Sequence, residues 1–176
     1  LIYGGIQENG RRAGTENVPA IVGMGKAAEL TRRDLDARIR HVAKLRDRLI
    51  DVIGKIEGVH LTGHPTNRLP GHASFVVEYI EGEAMLLMLQ GKEIVAASGS
   101  ACTSKALKAS PVLIAMGVPA SMTHGSIVFS MGVGNTEEDI DAVNEGLPRI
   151  ISRLREISPF GKNGWGKIEP EDTQRP

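Results

Sequence analysis

The amino-acid sequence predicts a layered α/β domain of the α+β kind, with helices stacked on a short mixed or antiparallel sheet. Three observations lead there. Segments of strand composition alternate with segments of helical period through the middle of the chain. At 176 residues, 41% of them hydrophobic, the chain can bury a core of its own, which rules out full disorder. No segment repeats, and none stays apolar for the ~20 residues that a membrane span needs.

In chain order, residues 1–17 hold Gly4, Gly5, Gly10 and Gly14 among Glu8, Arg11, Arg12 and Glu16, too little apolar matter for a core, and read as a loop that touches something else. Pro19 suits a first helical turn, and Ile21, Val22, Met24, Ala27, Ala28 and Leu30 predict a short helix with small residues for close packing. A second helix is expected over 33–57, where Leu35, Ile39, Val42, Leu45, Leu49, Val52, Ile53 and Ile56 recur every three or four positions and Gly58 ends the pattern. Its opposite face mixes Arg32, Arg33, Arg38, Arg40, Arg46 and Arg48 with Asp34, Asp36, Asp47 and Asp51, so it reads as a solvated face.

Residues 59–61 predict a short strand and 73–79 a better one, rich in β-branched and aromatic side chains. The helix expected over 84–90 carries Met85, Leu86, Leu87, Met88 and Leu89, which predicts burial on most sides. Residues 94–97 read as another strand, 111–116 as a short helix and 126–131 as a strand. The closing helix, 136–157, carries Ile140, Val143, Leu147, Ile150, Ile151, Leu154 and Ile157 on one side, with Asn135 or Thr136 to cap it and Pro148 to bend it. Residues 159–176, glycine, proline and charge with one Trp165, are expected to be disordered.

Charge and cysteine count narrow the function. The 21 Lys and Arg balance 21 Asp and Glu, so no net field draws the protein to nucleic acid or to an anionic membrane, and neither partner is expected. The single cysteine, Cys102, excludes an internal disulfide and a multi-cysteine zinc site, and suits a reducing, cytoplasmic compartment. The opening residues lack both an initiator methionine and a signal-peptide layout, and read as the middle of something longer.

Cys102 has two readings. A lone thiol often serves as a small core hydrophobe. Here Ser98, Gly99, Ser100, Ala101, Thr103 and Ser104 offer no apolar wall, and Lys105 and Lys108 are near enough in sequence to favour a thiolate, which points to a nucleophile on a loop of small residues. The glycine loop with Arg11, Arg12 and Thr15 has the donors for an anion, although no nucleotide-binding glycine motif is present, and a structural turn is the alternative. His60 and His64 are spaced like metal ligands but straddle a strand end and a turn with no third ligand, so no metal is expected. General-base duty for His124 is possible without being indicated.

The segments GGIQENGRRAGTEN at 4–17, YIEGE at 79–83, SGSACTS at 98–104, HGS at 124–126 and NTEEDID at 135–141 resemble, in order and spacing, the C-terminal part of cysteine desulfurases of the NifS/IscS type. The resemblance runs from residue 1 to about 159. It implies a pyridoxal 5'-phosphate enzyme of the aspartate aminotransferase fold that takes sulfur from L-cysteine, releases L-alanine and loads a persulfide for iron–sulfur cluster or thio-cofactor synthesis. Cys102 matches the family's persulfide-carrying nucleophile, and Thr15 the threonine that reaches the cofactor phosphate of the other subunit in a homodimer. Residues 1–31 then correspond to the trailing edge of the large cofactor domain, 32–158 to the small C-terminal domain and 159–176 to the tail.

Two departures accompany the match. The family's Schiff-base lysine, ring-stacking histidine and pyridine-pairing aspartate belong to a preceding region, and no His-Lys pair occurs here. Val128 stands where many members carry an arginine that clamps the substrate carboxylate. The expectation is therefore a chain active only with the N-terminal half of the desulfurase, handing sulfur to an iron–sulfur scaffold or another acceptor protein. A non-catalytic sulfur-relay or scaffold-binding module, or a fragment without independent function, is the alternative.

Overall fold

The computed structural model of the chain describes residues 3–99 and 109–158. These form two compact units that divide between Arg38 and Ile39. The elements are α1 (Val18–Ile53), β1 (Val59–Leu61), β2 (His72–Val77), α2 (Gly82–Gln90), α3 (Pro111–Ala115), α4 (Ala120–Thr123), β3 (Ser126–Ser130) and α5 (Glu137–Ile157). The expected α+β architecture is present.

The first unit holds a loop and the leading part of α1. The loop closes on itself through the Gln7–Arg12 pair, whose N–H groups donate to each other's carbonyls at 3.1 and 3.4 Å around a 3-10 turn at Glu8–Gly10. Glu8, Asn9 and Gly10 are all left-handed, at φ 49, 54 and 78°, a run that asparagine and glycine tolerate and glutamate does not favour. Asn17 starts the helix: its Oδ1 accepts the Ala20 N–H at 3.1 Å, with Pro19 in the first turn, where no amide donor is needed.

The two helices expected over 19–30 and 33–57 are a single helix, α1. Nothing between Leu30 and Leu35 breaks it, since the stretch contains neither glycine nor proline and the polar residues there lie along a helix that simply continues. It ends at Ile53, five residues before the expected stop; Gly58 instead provides the left-handed turn, φ 67°, that leads into β1.

The second unit is built on an antiparallel sheet of order β1-β2-β3, with Val59 opposite Val77 and Phe75 opposite Ile127. One face of β2 and β3 carries Ala73, Phe75, Val77, Ile127 and Phe129 into a core with Leu45, Leu49 and Ile53 of α1, Met85 and Leu89 of α2, and Ile140, Val143, Leu147, Ile150, Ile151 and Leu154 of α5. Phe75 and Phe129 meet edge to face with centroids 6.5 Å apart. The opposite face carries Ser74, Val76, Ser126 and Val128. There α4 packs against β2, and the buried Leu113 of α3 stands beside Gly99.

Four further expectations are corrected. Only Gly82, Met85 and Leu89 of α2 are buried while Leu87 is 70% exposed, so this helix packs on one side despite its composition. The strand expected over 94–97 contributes a single bridge, Ala97 to Val128, and Val95 is exposed; the chain meets β3 at one point instead of running along it. Ile157, expected on the apolar stripe of α5, is exposed at the helix end. Arg46 also leaves the solvated face: it is buried, donating to Asp47 Oδ1 and to the Leu69 carbonyl.

The rest of the charged face pairs across helices. Lys44 and Arg48 of α1 donate to the Glu137 carboxylate at 2.6 and 3.0 Å, and Arg48 also reaches Asp141. Lys44 first, by hydrogen bond and charge, and then Arg48 hold the Glu137 carboxyl below its usual range. At the start of α5, Asp139 accepts from Asn135 Nδ2 and from the Thr136 N–H, both at 3.0 Å, which closes the first turn and lowers its own pKa. Pro148 lies inside α5.

Two outcomes are expected. Phe75→Ala removes a fully buried ring and should cost about 3–5 kcal/mol in a denaturant titration. Because Asp139 binds its proton less tightly when folded, its contribution is complete above the ordinary value of 3.8 and is lost as the pH falls through the lower folded value. Asp139→Asn should therefore be less stable than the parent at neutral pH, with the two unfolding midpoints converging in acid.

Candidate functional site

Of the two residues that sequence reasoning singles out, the structure describes Thr15; Cys102 lies outside the described residues, as do Lys105, Lys108 and the tail. Thr15 follows Gly14, which sits at φ 80° and so turns the chain where other residues would be strained. The Arg12 Nε donates to the Gly14 carbonyl at 3.4 Å, and Thr15, Arg11 and Arg12 are exposed. The first amides of α1 are already engaged: Val18 N–H donates to the Glu16 carbonyl and Ala20 N–H to Asn17. An anion held here would therefore rely on the Thr15 hydroxyl, the guanidinium groups and loop amides, assisted by the positive end of a long helix with no acidic residue in its first turn.

Both chain ends that lead into residues 100–108 are fixed. On the leading side, Ala97 exchanges two backbone hydrogen bonds with Val128 of β3, at 2.9 and 2.6 Å. Two residues on, Gly99 N–H donates to Ser126 Oγ at 3.1 Å. Ser98 and Ser126 are both buried, Ser126 completely. On the trailing side, Ser110 is buried and Pro111 opens α3, with the Ser110 carbonyl accepting the Ile114 N–H at 3.1 Å. Sequence reasoning missed Ser126. Its signal was the alternation of β3, which sends Ile127 and Phe129 to the core and leaves Ser126 on the face that the 97–99 stretch crosses.

The two histidines spaced like ligands are tied locally through their rings, and His124 through its backbone. His60 Nε2 contacts Glu78 Oε1 at 2.7 Å, His64 Nδ1 accepts N–H groups of Thr66 and Asn67, and the His124 carbonyl accepts the Gly82 N–H at 2.8 Å. Among the described residues no group of three or more His, Cys, Asp or Glu could hold a metal ion. No helix among them is long and apolar enough to cross a membrane. A groove of about 470 Å³ beside Ile56, Pro148, Ile151 and Arg155 contains none of the candidate residues.

The family model "Aminotransferase class-V" matches residues 6–143, most of both units. The chain belongs to the class-V aminotransferase family. Among the curated relatives of this class-V chain, "Cysteine desulfurase IscS" of Methanosarcina thermophila is 52% identical over 160 residues, covering 91% of this chain and 40% of that protein. "Cysteine desulfurase" of Gluconacetobacter diazotrophicus is likewise 52% identical, covering 91% and 40%. A solved NifS-like protein from Rickettsia africae superposes with a TM-score of 0.75 at 30% identity, covering 86% of this chain and 39% of its own. The class-V chain thus spans about 40% of the length of the curated relatives it matches.

Pyridoxal phosphate, the cofactor that the resemblance implies, is met here only in part. The glycine loop with Thr15 suits a phosphate. The described lysines do not suit the aldehyde: Lys26, Lys44 and Lys55 are held in surface ion pairs, and Lys92 is exposed on the turn after α2. The described residues of this class-V aminotransferase chain therefore do not compose a complete cofactor site, and no catalytic step is assigned to them through it.

Proposed function

We propose that this chain is the C-terminal part of a cysteine desulfurase, with residues 1–31 the trailing edge of the large cofactor domain and 32–158 the small domain. The observation that carries the reading is 52% identity across 91% of the chain to proteins named cysteine desulfurases, over a span that includes the SGSACTS segment. Relatives a little over twice this length leave room for the missing cofactor groups elsewhere.

In this reading the Cys102 thiolate forms an S–S bond to the sulfur of L-cysteine while the substrate C–S bond breaks. The electron pair stays with the carbon, which takes a proton and leaves as L-alanine, and Cys102 is left as a persulfide. The balance is one thiol and one cysteine in, one persulfide and one alanine out. Bound pyridoxal phosphate supplies the electron sink, and its lysine comes from the N-terminal half. Thr15 donates its hydroxyl to the cofactor phosphate of the other subunit of a homodimer. The persulfide then passes to an iron–sulfur scaffold or another acceptor.

Val128 faces away from the core on β3 and is half-buried, with its backbone tied to Ala97. An isopropyl group cannot grip a carboxylate with two parallel hydrogen bonds. The substrate carboxylate is then met by another cation of the assembled enzyme, or is bound weakly.

Two experiments test this. Mixed with the N-terminal half, pyridoxal phosphate and L-cysteine, the chain should release alanine and Cys102 should gain the mass of one sulfur; Cys102→Ser should abolish the gain. Alanine formed by the chain alone would refute the split, and sulfur on Cys102 only when a separate donor desulfurase is supplied would show a relay instead. Thr15→Ala, which deletes a hydrogen bond to a charged group, should weaken cofactor binding to the assembled enzyme about 10-fold by equilibrium dialysis, with Thr15→Ser near the parent.

A further inference from the structure

We propose that the opening of α1, residues 18–25, is a plug that the N-terminal half of the enzyme encloses on more than one side; this rests on the desulfurase reading above and adds the surface through which the halves join. The segment reads VPAIVGMG and has no charged or hydrogen-bonding side chain, yet every residue from 17 to 29 is exposed. Val18, Ile21, Val22 and Met24 keep between 51% and 70% of their surface in water. At about 100° per residue these four span roughly 160° of the helix, and Pro19, Ala20 and Gly23 occupy the other side. A helix that is uncharged all round is one that needs neighbours all round. Charge returns at once beyond it: Lys26 and Glu29 pair at 2.8 Å, and Arg32, Arg33, Asp34 and Asp36 follow, so the enclosure ends after the opening turns.

Two glycines point the same way. Glycine weakens a helix relative to alanine, and a Cβ added to Gly23 or Gly25 would meet nothing within 4 Å, so no contact among the described residues requires either. At Gly23 the missing side chain lets another backbone come close, while the large groups opposite fill a hollow. A second copy of the chain laid against the helix would cover a single stripe of it. Covering both sides takes a larger body, and the curated relatives, of which this chain spans about 40%, carry that further polypeptide. The loop before the helix belongs to the same unit and bears Thr15, so the plug continues the surface already proposed to meet the cofactor-bearing part of the enzyme.

The test co-expresses the chain with the N-terminal half of the Methanosarcina thermophila relative and reads Met24 by mass spectrometry after brief treatment with hydrogen peroxide. Met24 should be oxidised to the sulfoxide about 10-fold more slowly in the complex than in the chain alone. Ile21→Glu and Gly23→Glu, on opposite sides of the helix, each bury an unpaired carboxylate on assembly. Each should weaken the complex about 100-fold or more by titration calorimetry, while Asp36→Asn stays within about 2-fold. Both new carboxylates stand in open water in the free chain, so circular dichroism of the free variants should match the parent. No complex, equal oxidation of Met24 free and bound, or a complex indifferent to both substitutions would overturn the proposal. A loss from only one of the two would overturn the enclosure, and Met24 protected in the chain alone by self-association would assign the face to a second copy instead. A complex that protects Met24 but places no sulfur on Cys102 sinks the desulfurase reading and keeps the docking; sulfur on Cys102 with Met24 still open to peroxide does the reverse.

Discussion

The register of β3 against β2 is the constraint on which the second unit depends. With Phe75 opposite Ile127 and Ala73 opposite Phe129, one set of side chains enters the core, and the intervening Ser126 and Val128 turn to the other face. A slip by one residue would put two hydroxyls into that core and two large apolar groups against the 97–99 stretch, and this is what specifies the pairing so strongly. The same alternation makes β3 a two-sided element. Its inner face holds the helices, and its outer face holds the chain that leads to the cysteine.

Packing on the inner face explains why the long helix α1 stays ordered along its second half. Leu45, Leu49 and Ile53 lie within the core, and Lys44 and Arg48 reach the start of α5, where Glu137 and Asp141 await them. These ion pairs are exposed and individually weak. They fall where α5 already gathers acidic residues in its first turn, which suits the helix dipole, so charge and dipole favour the same arrangement.

The first unit works differently. Its loop is organised by backbone pairing and left-handed residues, with almost no core beyond Ala13, and it presents Thr15, Arg11 and Arg12 outward. A surface of donors without a hydrophobic foundation is what a segment needs if its contacts are completed by other polypeptide. The desulfurase proposal therefore divides the work within the chain: one unit offers a phosphate contact, and the other holds both ends of the stretch that carries the nucleophile.

Much of this was legible in the sequence. Residue type and period are local properties, and they sufficed for β1, β2, β3, the span of α5 and its cap, while the spacing of short motifs pointed to the family. The errors arose where local signals were silent about neighbours. A polar stretch at Thr31–Arg33 looked like a helix boundary because composition cannot show that backbone hydrogen bonding continues through it. The apolar α2 looked buried all round because composition does not say how many sides have something to pack against. Cys102 was marked by the small residues beside it in the chain, whereas Ser126 acquires its contact with Gly99 across 27 positions, a proximity that exists only once β3 is in register and the chain has crossed its outer face. The sequence by itself determined the elements and the chemistry available to them, since both reside in consecutive residues; tertiary structure alone decided which groups meet, because that depends on long-range packing that no local pattern encodes.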